Sequence, residues 1–252
     1  MNIQLGIMMV GLTSLMLAAG CRQAAPCVPI YHCHYTEQSP VIDGQMNEEA
    51  WHKAEVVNLT LADTGRPPRQ PTTARALWSD THLYIAFECI DNDIWASETE
   101  RDAPIYNHEV VEVFIDDNGD GKTYIELEIS PNNTVFDAYV LNAGQGKWLK
   151  VFSEEYTCEG MQTAVVVNGE VGDKRGSNPS NCTQWSVEIA IPFSQFAQGP
   201  NLPPSAGDQW RWNLYRIDRP AQAQDDEYTA WSPPGEINFH RPDKFGWLVF
   251  CK

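Results

Sequence analysis

Along this chain apolar and polar residues alternate with a period of two far more often than with the period of a helix. A strand sends successive side chains to opposite faces, so the alternation predicts strands. Segments of this kind cover residues 30–35, 73–78, 83–90, 110–116, 123–129, 135–141, 162–167, 185–191, 209–217 and 246–251. That is about ten strands, spaced by clusters of Gly, Pro, Asn and Asp, as in an all-β, antiparallel β-sandwich of the immunoglobulin or jelly-roll kind. One short rim helix is expected over NEEAWHKAE (residues 47–55), with Asn47 as its N-cap. The polar stretch 172–181 reads as a loop, and no repeat or interior linker divides residues 30–252, so they are expected to form one domain.

The segment 110–129, VVEVFIDDNGDGKTYIELEI, is the most informative. In its two apolar runs the odd positions Val111, Val113 and Ile115, then Ile125, Leu127 and Ile129, are all apolar. Its even positions include Glu112, Phe114, Tyr124, Glu126 and Glu128. A hairpin register that keeps the apolar set together buries the odd face and leaves the even face on the other side. Glu112 then lies opposite Glu126 or Glu128, and facing like charges are unfavourable. An arginine, a cation or hydrogen-bond donors such as sugar hydroxyls would offset them; solvation on an open face is the plain alternative. The connecting loop places Asp116, Asn118 and Asp120 at the spacing of the first half of a calcium loop. Its twelfth position is Leu127 and strands flank it, so it is not an EF-hand. Asn-Gly and Asp-Gly also suit an ordinary hairpin turn.

Composition narrows the partners. The chain has 252 residues and a formal charge of −17, which disfavours nucleic-acid backbones and anionic lipid headgroups. Residues 1–20 carry no charged side chain and end in Leu-Ala-Ala-Gly before Cys21. This resembles a bacterial lipoprotein signal, which implies lipidation at Cys21 and a short tether over 21–29. A conventional cleaved signal and an uncleaved membrane anchor are the alternatives, and each would export the domain. If Cys21 carries lipid, Cys27, Cys33, Cys89, Cys158, Cys182 and Cys251 remain as an even set open to disulfide pairing. A bridge from Cys27 or Cys33 to Cys251 would join the first and last strands. No CxxC spacing suggests a zinc site.

Several segments, in order, resemble family 9 carbohydrate-binding modules: IDGQMNEEAW (42–51), ARALWSDTHLYIAFECID (74–91), VEVFID (111–116), WSVEIAIPF (185–193), WNLYRID (212–218) and the terminal WSPP and PDKFGWL. The resemblance implies a DOMON-like β-sandwich that binds the ends of sugar chains without catalysis. It also implies a frequent association with calcium, and a place beside polysaccharide-degrading hydrolases. Its stacking aromatics fall on Tyr106 and Phe239, and its glutamate on Glu112. Glu128 stands where sugar-binding members have an arginine, and Tyr215 replaces an amide, with Arg216 beside it. The expected carbohydrate-binding set is therefore Tyr106, Glu112, Glu128, Tyr215, Arg216 and Phe239.

Two other functions compete. Glu112 with Glu126 or Glu128 could be cast as the carboxylate pair of a glycoside hydrolase. The DOMON-like superfold also hosts haem-binding electron-transfer domains, for which His82, His108, His240 and Met161 are candidate axial ligands. There is no G-x-S-x-G elbow, P-loop or dinucleotide fingerprint. Arg101, Arg216, Arg219, Arg241 and Lys244 could neutralise the even-face acids. Trp95, Trp148 and Trp231 lie in loop-like segments where an open ring would mark binding, whereas Trp78, Trp185, Trp210 and Trp212 lie within strands and are expected to pack.

Overall fold

The computed structural model describes residues 28–142, 148–149, 156–177, 183–221 and 224–252. The leader, Cys21, Cys27, Cys182 and the Trp148 side chain lie outside that description.

Where the alternation is clean, strands form at the expected places: β1 (Ile30–Tyr35), β4 (Thr72–Trp78), β5 (His82–Ile90), β6 (Val110–Asp116), β7 (Thr123–Ile129), β8 (Val135–Asn142), β10 (Gln162–Val167), β11 (Gln184–Pro192), β12 (Gln209–Asp218) and β14 (Gly246–Cys251). Four shorter strands join them: β2 (Val56–Asn58), β3 (Thr60–Leu61), β9 (Trp148–Leu149) and β13 (Glu227–Ala230). Two to four residues are too few to display a period, which is why pattern reading passes over them.

The strands make one curled sheet in the order β10-β11-β5-β4-β1-β14-β12-β6-β7-β8-β9. Its two halves face each other like a sandwich. Ile85, Phe87, Val187 and Ile189 from one half close against Val113, Leu127 and Leu214 from the other, fully buried. The expectation of a purely antiparallel sheet needs correction. β1 runs parallel to both β14 and β4. Parallel neighbours need a long connection, and here β1 reaches β4 through the helix α1 (Glu49–Lys53), β2 and β3.

That register also rules out the bridge from Cys33 to Cys251. Cys33 lies opposite Phe250 and Cys251 opposite His34, one step apart, so the two thiols leave the sheet on opposite faces. Cys33, Cys89, Cys158 and Cys251 are all free thiols, and burial pushes the Cys33 thiol far above its ordinary range.

The helix is shorter than expected, and Asn47 is not its cap: Glu48 holds that position without a side-chain capping bond. What fixes α1 is Trp51, fully buried, whose Nε1 donates to Glu188 Oε1 at 2.6 Å. The other oxygen of Glu188 accepts the backbone N–H groups of Asp43 and Gly44 at 2.9 and 2.7 Å. Gly44 has φ +85°, and a Cβ there would lie 2.9 Å from Val166, so only glycine makes this turn. Gly246 serves differently. A Cβ on it would come within 2.3 Å of the Trp231 ring, so its bareness lets Trp231 pack inward.

Candidate functional site

The β6–β7 hairpin presents its two faces as the alternation predicts. Val111, Val113, Ile115, Ile125, Leu127 and Ile129 enter the main core. Glu112 pairs directly with Glu128, and Phe114 with Glu126. The even face is not an open solvated surface. Glu112, Glu126 and Glu128 are 3 %, 2 % and 1 % exposed. A second apolar cluster surrounds them, containing Val110, Phe114, Tyr124, Phe136, Tyr215, Ile217 and Phe239. One carboxylate oxygen from each glutamate lies within 4.8 Å of the others.

Above these acids lies a cleft of about 340 Å³. Its floor is Glu112, Glu126, Glu128 and Phe114; its walls include Tyr106, Asn107, Arg219, Tyr228, Asn238, Phe239 and His240. Two irregular segments build the walls. A single 3-10 turn over Ile105–Asn107 carries Tyr106, with Ile105 fully buried beneath it. The Tyr106 ring meets Phe136 edge-on at 5.8 Å. Arg219 holds this turn from the side, donating to the carbonyls of Tyr106 at 3.0 Å and His108 at 3.2 Å, and it pairs with Asp226. The opposite wall is the stretch before β14, where Phe239 stacks on Tyr215 at 4.1 Å between centroids. The Tyr215 hydroxyl donates to the Phe239 carbonyl at 3.0 Å. His240 sits beside Phe114, its Nδ1 2.8 Å from the Tyr124 hydroxyl.

The residues expected to bind ligand divide three ways. Tyr106, Glu112, Glu128 and Phe239 line the cleft together. Phe239 is only 9 % exposed, because Tyr215 covers one of its faces, so Tyr106 is the more open ring. Tyr215 is wholly buried and supports the wall instead of lining it. Burial also lifts its hydroxyl far above the ordinary tyrosine range. Arg216 is not in the cleft at all. It pairs with Val111 while Tyr215 pairs with Glu112, so it points into the interior. The alternation rule, applied to these neighbours, separates them. Cleft residues that pattern reading missed, Asn107, Tyr228, Ile237 and Asn238, come mostly from irregular segments with no period to read.

Other candidates take ordinary places. Among the cationic candidates, only Arg219 lines the cleft. Arg101 pairs with Asp137, and Arg241 with Glu236 and Asp243. Trp95 and Trp231, expected as open loop rings, are 7 % and 8 % exposed, and the Trp95 Nε1 donates to the Arg219 carbonyl. His108 packs on Trp95, and His82 stacks on Tyr84.

The 116–121 loop, where Asp116, Asn118 and Asp120 have calcium-loop spacing, is held by its own amides. Asp116 uses both oxygens on the loop's own amides, Gly119 at 2.7 Å and Gly121 at 2.8 Å. Asn118 Oδ1 accepts the Asp120 N–H, and Asp120 Oδ1 accepts the Lys122 N–H.

A second carboxylate group lies on the interior side. Asp91, Glu109 and Asp218 sit at the ends of β5, β6 and β12, each essentially buried, with one oxygen apiece within 4.8 Å of the others. Arg216 enters this group, its Nη2 2.7 Å from Asp91 Oδ2 and 3.6 Å from Asp218 Oδ1. Burial pushes the Glu109 carboxyl well above the usual range, with the Asp91 charge adding to it. Burial raises Asp218 to about 6, against the pull of Arg216.

A curled β-sandwich with an aromatic-walled cleft on the outer face of one hairpin is the architecture of a ligand-binding module. The chain belongs to the carbohydrate family 9 binding domain-like family, which matches residues 42–252. An extracellular protein of Arthroderma benhamiae is 24% identical over 200 residues, 77% of this chain and 85% of that protein. Exoglucanase XynX of Acetivibrio thermocellus is 30% identical over 90 residues, 36% of this chain but only 8% of the enzyme. Among solved structures, a Bacteroides uniformis protein superposes with a TM-score of 0.67 at 17% identity, covering 88% of this chain and 99% of that one. A family 9 carbohydrate-binding module from Caldicellulosiruptor kristjanssonii, in complex with cellotriose, superposes with a TM-score of 0.58 at 16% identity. That match covers 88% of this chain and 93% of the module. At these identities the superpositions establish the fold.

Proposed function

We propose that the cleft over β6 and β7 binds carbohydrate, and that the protein holds a sugar chain without cleaving it. The observation that carries this reading is the cleft itself: a volume of about 340 Å³ walled by Tyr106, Tyr228 and Phe239 above three glutamates, in a chain whose family match spans it. The apolar C–H face of a pyranose suits an aromatic wall. Its hydroxyls suit carboxylate acceptors, with the amides of Asn107 and Asn238 and the Arg219 guanidinium as further polar partners. Three acids against one arginine disfavour a uronate and favour a neutral or amino sugar.

The acids also lie together on one floor, on adjacent strands. The match to a binding-module family supports binding over turnover. The C. kristjanssonii module bound to cellotriose supports a glucan-type ligand. The partial matches to a glucanase and to endo-1,4-beta-xylanase A of Thermoanaerobacterium saccharolyticum support work beside polysaccharide hydrolases. In this reading the domain is exported and held at a bacterial membrane through lipidated Cys21.

Isothermal titration of the purified domain against neutral, amino and uronic mono- and oligosaccharides tests the reading. Saturable binding of a neutral or amino sugar, weakened about tenfold in Tyr106→Ala, is expected. Heat only from uronates, or from none of the panel, would overturn it.

A further inference from the structure

Two residues of the cleft wall, Tyr228 and Ile237, also line a second recess, of about 280 Å³. Its other lining residues come from the turn after β3, Asp63 and Arg66 among them, and from the chain entering β13. Backbone bonds hold both contributors in place. The turn is closed by the Gly65 N–H on the Leu61 carbonyl at 2.7 Å and the Leu61 N–H on the Arg66 carbonyl at 2.8 Å. It is fastened to β13 by the Ala62 N–H on the Tyr228 carbonyl, and to the segment before Ile237 by the Gly235 N–H on the Ala62 carbonyl, both at 2.8 Å. Most charges of the recess are already engaged. Glu227 accepts the Arg69 backbone N–H at 3.0 and 2.9 Å and pairs with the Arg69 side chain, while Asp226 is held by Arg219 and Arg175. Asp63 and Arg66 differ: both are exposed, and among the described residues their side chains make no hydrogen bond or ion pair. Ile237 is 61 % exposed, and of the large apolar side chains left open it alone lines either recess.

We propose that this recess is a second sugar subsite, and that the protein binds an oligosaccharide running from the Tyr106 cleft across Tyr228 and Ile237 to Arg66. The proposal rests on the carbohydrate reading of the cleft and extends it to a longer stretch of chain. A polysaccharide is a linear repeat, so a recess that shares a wall with the cleft meets the neighbouring unit with the same chemistry. Leu61, Tyr228 and Ile237 offer apolar surface to its C–H face. Arg66 offers hydrogen-bond donors and Asp63 acceptors to its hydroxyls. A hydroxyl that must displace an existing ion pair gains little, whereas one that meets an exposed guanidinium exchanges only water. The turn is already fixed by its backbone bonds, so binding orders little beyond the two side chains. The cleft alone, at about 340 Å³, is at the small end of ligand sites. The recess nearly doubles it.

Isothermal titration of the full domain with cello-, xylo- and chitosan oligosaccharides of increasing length, from the monosaccharide to the pentasaccharide, tests the proposal. Affinity should rise by about tenfold between the disaccharide and the tetrasaccharide. A longer chain also offers more registers to the cleft alone, so the variants decide. In the double variant Asp63→Ala, Arg66→Ala the disaccharide should bind as in the wild type, while the gain with length shrinks to the register effect. Both positions are exposed, so the variant should fold, and its disaccharide binding reports that it has. Tyr106→Ala, in the cleft, should weaken every length alike. A gain with length that the double variant leaves intact would overturn the proposal, as would an affinity that is flat with length; in either case the cleft reading stands. Absence of binding at every length would overturn the cleft reading and this proposal with it.

Discussion

The two carboxylate triads are built from the same chemistry on opposite sides of the strands β6 and β12, and they meet different surroundings. Glu112, Glu126 and Glu128 lie under a cleft whose walls are loops, with Arg219 at its edge. Asp91, Glu109 and Asp218 lie under the main core with Arg216 driven among them. Like-charged groups beside an open cleft can be served by whatever enters it. Those sealed inside must be answered by something permanent. Sheet parity alone sends Glu112 and Tyr215 one way and Val111 and Arg216 the other. One strand register therefore supplies both part of the cleft floor and the buried counter-charge.

The difference can be probed by breaking each side in turn. Arg216→Met should be the most damaging change, because it strands buried carboxylates. A loss of about 3–5 kcal/mol is expected from urea unfolding, and a loss below ~1 kcal/mol would mean that the interior triad does not depend on its guanidinium. Phe239→Ala removes a ring packed against Tyr215 and one wall of the cleft. It should cost about 3 kcal/mol of stability and abolish sugar binding in the same preparation. Tyr106→Ala should separate the two readouts, with stability changed by less than about 1 kcal/mol and affinity lowered by about tenfold, or 1.4 kcal/mol.

Smaller effects sharpen the comparison further. Glu128→Gln relieves the direct pairing with Glu112 and should raise the urea midpoint by the equivalent of about 0.5 kcal/mol while weakening ligand binding. The same neutralisation would have the opposite consequence for binding if the ligand were anionic. Asp120→Ala lies in the exposed hairpin turn and should change stability by no more than about 0.5 kcal/mol, with or without calcium. A calcium-dependent loss there would restore the loop as a metal site.

The fold was largely legible because it rests on alternation. β1, β6, β7, β10 and β14 begin and end where the period-two pattern does. The hairpin's division into a core face and a cleft face follows from the same rule. Residue type predicts Asn47 as the helix cap, but Glu48 occupies that position. Their loop-like segments make Trp95 and Trp231 look like open binding rings. Their burial depends on what packs over them, the Arg219 carbonyl for Trp95 and the bare Cα of Gly246 for Trp231. The family resemblance implies Arg216 beside Tyr215 in the site, but neighbours on a strand face opposite ways.

What the sequence by itself determined is the set of strands, the parity of each, and so the side from which every strand residue speaks. Those follow from local geometry that repeats every two residues. Only the tertiary structure decided that the acidic face is roofed by the Ile105–Asn107 turn and the segment around Phe239, and that Asp91, Glu109 and Asp218 meet around Arg216. Those contacts join residues more than a hundred positions apart, such as Asp91 and Arg216. They depend on how the curled sheet closes on itself, which no local periodicity records.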